Sequence, residues 1–478
     1  MEFSAQSFPD EPPRGARMSP VSLLTEEDSA KDVRPQSIRK QQAPGSVVTI
    51  SPIPAVEGES PFSVDFLDNS LSAARVIYLK ILVAGVTVLG LVVFAVCAIY
   101  WGSIWSTPHR SVTGWIVDFD GGFVGEKVVA SLFGMNGESR GVEWEVISAS
   151  RFPEGLSQVK NDIVEEKAWA VVAINPGTSS NLAAALSAVD KSYNSSSAIT
   201  FVGSEARNEV EYRNVIMPLV SSQLEKTSRA FALEFARNIS QTINTTALLS
   251  NAPQIITEPI SYTIDNVRSF YVPVAGAVTF AGLIYLLILS FFMVLLSNGA
   301  RLASGLEQRL TLGSLIRVRL VTCFVGYFFV ALFYTLLSVA FQLSFNIRFG
   351  KAGIIIFWML NWIGMLACGM ALEALTTLVT VRLIPLFLIF WIISNMSVSG
   401  YPLEVLPHIY KFGYLYPFYN ISRGVRTIVL GTKNDLGMNF GILLAWLAIS
   451  CVTLPLFQWW MRRKIVLVEA QPPAEQKR

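Results

Sequence analysis

Few side chains in this sequence stand where they could do chemistry. Glu373 is the one acidic residue deep in an apolar run, about 9 Å to the cytosolic side of its expected helix midpoint. A carboxylate there must be protonated, paired or in a wet cavity, which makes it the first candidate for proton coupling or a substrate path. A structural pair with Lys80 or Arg319, on the same half of the membrane, is the competing expectation. Asn361 and Asn395 fall at similar depths in the outer halves of two neighbouring runs, where a hydrogen bond between the helices is expected ahead of substrate contact. Asp118 and Asp120 have the chemistry to hold a cation, although Asp at a strand end is more simply read as a turn residue.

Other chemistries lack their residues. No G-x-x-x-x-G-K-[ST] loop occurs, so ATP binding of the P-loop kind is excluded and any ATPase belongs to a separate chain. The only two histidines, His109 and His408, are distant in sequence, which leaves no metal cluster or nucleophile–base pair. Cys97, Cys323, Cys368 and Cys451 all sit in apolar runs and read as small buried hydrophobes rather than a disulfide framework. No cofactor, metal or enzymatic activity is expected. The net charge of +2 gives no reason to expect a nucleic-acid partner.

The elements that must position these residues are membrane helices. Of 478 residues, 52% are hydrophobic and 15% charged, the composition of a multi-span protein whose partner is the lipid bilayer. Ile81 to Trp101 holds 21 uncharged residues, roughly 31 Å of helix and enough to cross the hydrocarbon core. Arg75 and Lys80 precede it while Trp101 and Trp105 close it, so it is read as an uncleaved signal anchor running from inside to outside, within 76–105. Five more runs follow: Val272–Leu296, Leu320–Phe345, Ala352–Val381, Leu383–Gly400 and Met438–Met461.

Between the first span and the rest, residues 106–270 alternate short strands with helical patterns. Val112–Phe119, Val142–Ala149, Trp169–Ile174 and Ala198–Val202 read as strands, with helices over 156–167, Ser179–Val189 and Asn208–Ile243. This is an α/β domain large enough for its own core. Its sequons at Asn194, Asn238 and Asn244 predict an external, glycosylated domain. The fold expected is therefore an α-helical polytopic membrane protein of six transmembrane helices, with an external α/β domain between helices 1 and 2.

Residues 1–70, rich in Pro and Ser, read as a disordered cytosolic tail, and 462–478 as a second cytosolic tail. Basic residues favour the expected inside flanks by ten to six. Residues 297–317 suggest an amphipathic helix on the cytosolic surface that could receive a partner protein. Within the five-span region 271–461, segment 402–431 is too aromatic and apolar for an ordinary loop. Pro402, Pro407 and Pro417 divide it, and 418–430 predicts a helix, stopped at Gly431, that lies in the outer interface or dips into the membrane, making 402–431 partly re-entrant.

This layout resembles the permease subunits of type-2 ABC exporters. Trp115-Ile116-Val117-Asp118-Phe119-Asp120-Gly121-Gly122 and Val171-Val172-Ala173-Ile174-Asn175-Pro176-Gly177 look like the opening strand-and-turn and the proline-loop strand of the phage-infection-protein branch. Leu415-Tyr416-Pro417-Phe418-Tyr419 through Arg426 and Gly431 looks like that group's pattern before the last span, which adds Arg426 to the candidates. Over 75–465 the chain looks most like the fungal nitrosoguanidine-resistance protein family. That resemblance implies a plasma-membrane exporter conferring resistance to toxic small molecules or exporting a metabolite. The partners would be a small-molecule substrate and either a second copy or a separate ATPase subunit. The alternative it leaves open is a non-transporting membrane regulator or scaffold affecting lipid asymmetry.

Overall fold

The computed structural model describes residues 64–138, 140–240, 245–379 and 383–469. The tail up to residue 63, the sequon Asn244, the connection at Arg382 and the chain beyond 469 lie outside the described residues.

The first spanning helix, α1 (Asn69–Ile104), has no buried residue in its most apolar window, as a helix solvated largely by lipid allows, while its far end packs on Tyr410, whose hydroxyl donates to Ile99 O at 2.7 Å. It contains a π turn at Val93–Cys97. The chain then builds the α/β unit in the order β1 (Val112–Asp118), α2 (Phe123–Gly134), β2 (Val142–Ile147), α3 (Leu156–Val164), β3 (Ala170–Ile174), α4 (Thr178–Ala188), β4 (Ile199–Gly203), α5 (Met217–Ser240) and β5 (Tyr262–Asn266). The strands form one sheet, β2-β1-β3-β4-β5. β1 runs parallel to both neighbours, β4 is antiparallel to β3, and β5 is parallel to β4. Every residue of β3 and β4 is buried, as continuous apolar runs covered by helices on both faces must be. β5 has no counterpart in the sequence reading, because Tyr262–Asn266 mixes polar and apolar residues on a half-exposed edge.

Four further helices are long and apolar enough to cross a membrane: α6 (Ala277–Ala303), α7 (Leu312–Ala340), α8 (Asn346–Leu378) and α11 (Leu436–Leu467). The remaining expected span, Leu383–Gly400, differs. Only α9 (Ile384–Met396) is helical there, and its 13 residues reach about 20 Å, short of the roughly 30 Å hydrocarbon core. Its end is polar, and the side chain of Asn395 turns to the next element instead of extending the helix. The amphipathic surface helix expected over 297–317 is also not formed. α6 and α7 extend into that stretch and leave a single turn, Leu306–Arg309, after Gly305 at φ +67°.

The segment expected to be partly re-entrant forms α10 (Pro417–Leu430), in which every residue but Tyr419 and Arg423 is buried. Pro417 occupies the first turn, where no N–H is needed, and Gly431 ends the helix at φ +70°. Two glycines let α10 lie close to α8. A Cβ on Gly424 would come within 2.7 Å of Leu360, and one on Gly364 within 2.6 Å of Ile421.

Candidate functional site

Two ionic clusters occupy opposite ends of α8. The first surrounds Glu373, about 30 Å along the helix from Gly353 and 0% exposed. Its Oε1 accepts from Arg319 Nε at 2.6 Å and lies 3.1 Å from Arg301 Nη2. Arg319 Nη2 also donates to the backbone carbonyl of Glu373 at 2.6 Å, and its Nη1 donates to Thr377 Oγ1 at 2.8 Å and to Gln458 Oε1. Arg301 donates to Ser297 Oγ at 2.7 Å and reaches Glu307 at 3.2 Å. The cluster thus joins α6, α7, α8 and α11. Both guanidiniums are nearly as buried as the carboxylate they share; Arg319 has Glu373 as its carboxylate partner, while Arg301 has Glu373 and, nearer the helix end, Glu307.

Of the two expected partners, Arg319 is the one that pairs, while Lys80 lies exposed on α1. The sequence does not single out Arg301, because it lies in the last turn of α6, a stretch that reads as a cytosolic flank. Asn361 and Asn395 do not bond each other as expected. Each donates from Nδ2 to its own helix four residues back, Asn361 to Phe357 O and Asn395 to Trp391 O, both at 2.9 Å. Asn395 Oδ1 then accepts the Phe418 N–H at 3.1 Å and so caps α10. Buried amides must find some partner, and the i−4 carbonyl is nearest.

The second cluster lies where the α/β unit meets α10. Arg426 Nη1 donates to Ala206 O at 3.0 Å and pairs with Glu209 at 2.6 Å. Arg423 bridges Glu166 at 2.7 Å and Asp435 at 3.0 Å. Between them Arg207 lies flat on Trp169, 3.5 Å from the ring centroid, 3.7 Å from Glu166 and 3.4 Å from Glu404. Burial pulls Arg207 below its ordinary pKa, and Glu166 and Glu404 oppose that shift. Glu166 adopts φ +62° at the end of α3, a conformation non-glycine residues seldom take, and its carboxylate serves both arginines. Trp169, Arg207, Glu404, Tyr419 and Arg423 enclose a cavity of ≈ 30 Å³, room for about two waters.

Two acids beside this junction are held in opposite states. Glu205 is raised by burial but pulled below its usual value by the Phe270 N–H at 2.7 Å, by Arg213 and by Asn266. Glu211 is fully buried and neither carboxylate oxygen has a hydrogen-bond partner; burial, then the charge of Glu404, pushes it up to about 7. Nothing in the sequence distinguishes Glu211 from its neighbours Glu205 and Glu209.

Asp118 and Asp120 form a turn. Asp118 Oδ1 accepts the N–H groups of Asp120 and Gly121, and Asp120 accepts Ser179 N–H at 2.9 Å and its hydroxyl at 2.5 Å. Asp120 thereby ties the turn after β1 to the first turn of α4, which follows β3. No group of three or more His, Cys, Asp or Glu suited to a metal occurs among the described residues. The turns that carry His109 and His408 adjoin, the backbone N–H groups of His109, at 2.9 Å, and Arg110 both bonding Val405 O. His408 is held below its usual value by Arg110, then Lys411, burial and His109. Asn194 and Asn238 are both exposed on the α/β unit.

Fold and clusters together define a multi-pass helical membrane protein with an α/β unit inserted between its first two long helices. The chain belongs to the DUF3533 family, described as a protein of unknown function, which matches residues 86–452. It is similar to an uncharacterized endoplasmic reticulum membrane protein of Saccharomyces cerevisiae, YJR015W, with 28% identity over 343 residues. That match covers 68% of this chain and 66% of the yeast protein, so the chain spans about two thirds of its relative's length. No solved structure matches it.

Proposed function

We propose that this protein is a non-transporting membrane scaffold of the endoplasmic reticulum that acts on lipid distribution through partners. Its bundle, six spans when α9 is counted, holds the α/β domain on the lumenal side and leaves both termini in the cytosol. The observation that carries the reading is Glu373. A carboxylate serving proton coupling or a substrate path needs access to water, whereas this one is 0% exposed and committed to two arginines. The junction at α10 supports it too, since it fixes the attitude of the α/β domain on the bundle. The name of the yeast relative supports the endoplasmic reticulum over the plasma membrane.

A second reading, an exporter-like permease for toxic small molecules related to type-2 ABC exporters, draws support from α10. Half-length helices carrying buried polar groups line substrate paths in transporters, and α10 buries Asn420, Ser422 and Arg426. The test is efflux of an amphipathic dye from liposomes holding the purified protein, with ATP or with a proton gradient. The scaffold reading expects release no faster than from protein-free liposomes. Release that depends on the protein and is lost in Glu373→Gln, with the variant still folded, would favour the exporter.

A further inference from the structure

The α/β domain carries an aromatic stripe away from the junction. Phe231 and Phe235 lie one turn apart on α5, and Phe123 opens α2 beside them. The rings stack with centroids 6.2 Å apart for Phe123 and Phe231 and 5.9 Å apart for Phe231 and Phe235. Phe231 is buried, but Phe123 is 44% exposed. Residues three, four and seven apart share a helix face, so Asn238, three beyond Phe235 and seven beyond Phe231, ends the same stripe. Asn238, the three phenylalanines and the ion pair Lys127–Glu234 line one notch of ≈ 70 Å³. Asn238 also opens the sequon Asn238-Ile239-Ser240.

We propose that Asn238 is glycosylated and that the first sugar of its glycan rests over this notch, one face against the phenylalanine rings. The proposal rests on the lumenal placement of the α/β domain argued above. The cell's oligosaccharyltransferase would form a bond from Asn238 Nδ2 to the anomeric carbon of a lipid-pyrophosphate-linked oligosaccharide. That carbon's bond to the pyrophosphate breaks, the lipid pyrophosphate leaves with the electron pair, and one amide proton is released. A pyranose presents a face of C–H groups that the negative face of an aromatic ring attracts. Its hydroxyl and acetamide groups find polar partners in Lys127 and Glu234 at the rim. Seating the sugar also takes exposed Phe123 surface out of water. Asn194 supplies the comparison, because it is exposed in a turn with Ser195, Ser196 and Ser197 beside it in place of phenylalanine rings.

Two single-sequon proteins test this, Asn194→Gln with Asn244→Gln, and Asn238→Gln with Asn244→Gln, each digested in its native state by an endoglycosidase that cuts the glycan core. The Asn238 glycan should be present and released severalfold more slowly than the Asn194 glycan. Adding Phe123→Ala should leave Asn238 occupied and bring its release up to the Asn194 rate. A glycan on Asn194 with none on Asn238, or equal release rates insensitive to Phe123→Ala, would overturn the proposal while leaving the lumenal placement standing. No glycan at either site would overturn the placement itself and this proposal with it.

Discussion

The Glu373 cluster and the α10 junction are both built from arginines and carboxylates, yet they differ in redundancy and in access to water. In the first, Glu373 at the meeting of four helices pairs with two guanidiniums and is the carboxylate partner of Arg319, Arg301 having Glu307 besides, with side-chain exposures of 0% for Glu373, 2% for Arg319 and 5% for Arg301. In the second, Arg207, Arg423 and Arg426 share Glu166, Glu404, Glu209 and Asp435, of which Glu404 is 42% exposed and Asp435 20%. Removing a partner in the bundle strands a buried charge. At the junction a neighbour or a water can take over part of the loss. The bundle cluster is therefore the brittle one, and the junction is graded.

The sharpest way to break this contrast is Glu373→Ala. It should destabilise the bundle by about 3–5 kcal/mol and sharply lower the amount of protein in the membrane, read by quantitative blotting at constant mRNA. Normal abundance would mean that the arginines find other compensation and that the two clusters do not differ. The corresponding change at the junction, Glu166→Gln, should cost less, about 1.5–3 kcal/mol, because Arg207 retains Glu404 and Arg423 retains Asp435. Its effect should appear as faster proteolysis between the α/β unit and α6 while thermal unfolding of the bundle is unchanged.

Titration separates the two regions further. Glu211 has a folded-state pKa near 7, above its ordinary 4.5, so the folded α/β unit holds this proton more tightly than the unfolded chain. Its contribution to stability is complete below pH 4.5 and is lost as pH rises through 7. Denaturant midpoints of the α/β unit should therefore carry a falling component between pH 5 and pH 8, and Glu211→Gln should remove it. A slope unchanged by Glu211→Gln would show that Glu211 is not the group that titrates. The smallest effect belongs to Ser422→Ala. Ser422 Oγ donates at 2.6 Å to Thr279 O, a carbonyl within the π turn at Ala277–Ala281 that opens α6. Losing that bond should cost about 1 kcal/mol, a modest drop in melting temperature with both ionic clusters intact.

The bundle cluster was partly legible in the sequence because a lone carboxylate in an apolar run is conspicuous, and Arg319 at matching depth was its natural partner. Arg301 was not, since a basic residue at a helix end reads as an ordinary flank until the helix is seen to extend past it. The helix of α10 was legible from Pro417, Gly431 and the spacing of Ile421, Val425 and Ile428. Its company was not, because Arg207, Glu166 and Trp169 lie some 220 to 260 residues earlier in the chain, and no local pattern joins them to Arg423 and Arg426. The central strands were read from their apolar runs, whereas β5 was missed because an edge strand needs no such run. The apolar run Leu383–Gly400 is longer than the helix it forms because hydropathy counts Val398 with the run, while the helix ends at Met396 and Asn395 uses its side chain on the N-terminus of α10.

A double-mutant cycle on the bundle tests the account most directly, using thermal unfolding of Glu373→Gln, Arg319→Met and the double variant in detergent. If Glu373 is a structural counter-ion, each single change destabilises and the double variant recovers part of the loss, with a coupling of about 1–3 kcal/mol. Additive losses with no coupling would contradict the account and return Glu373 to the candidates for a wet, functional path.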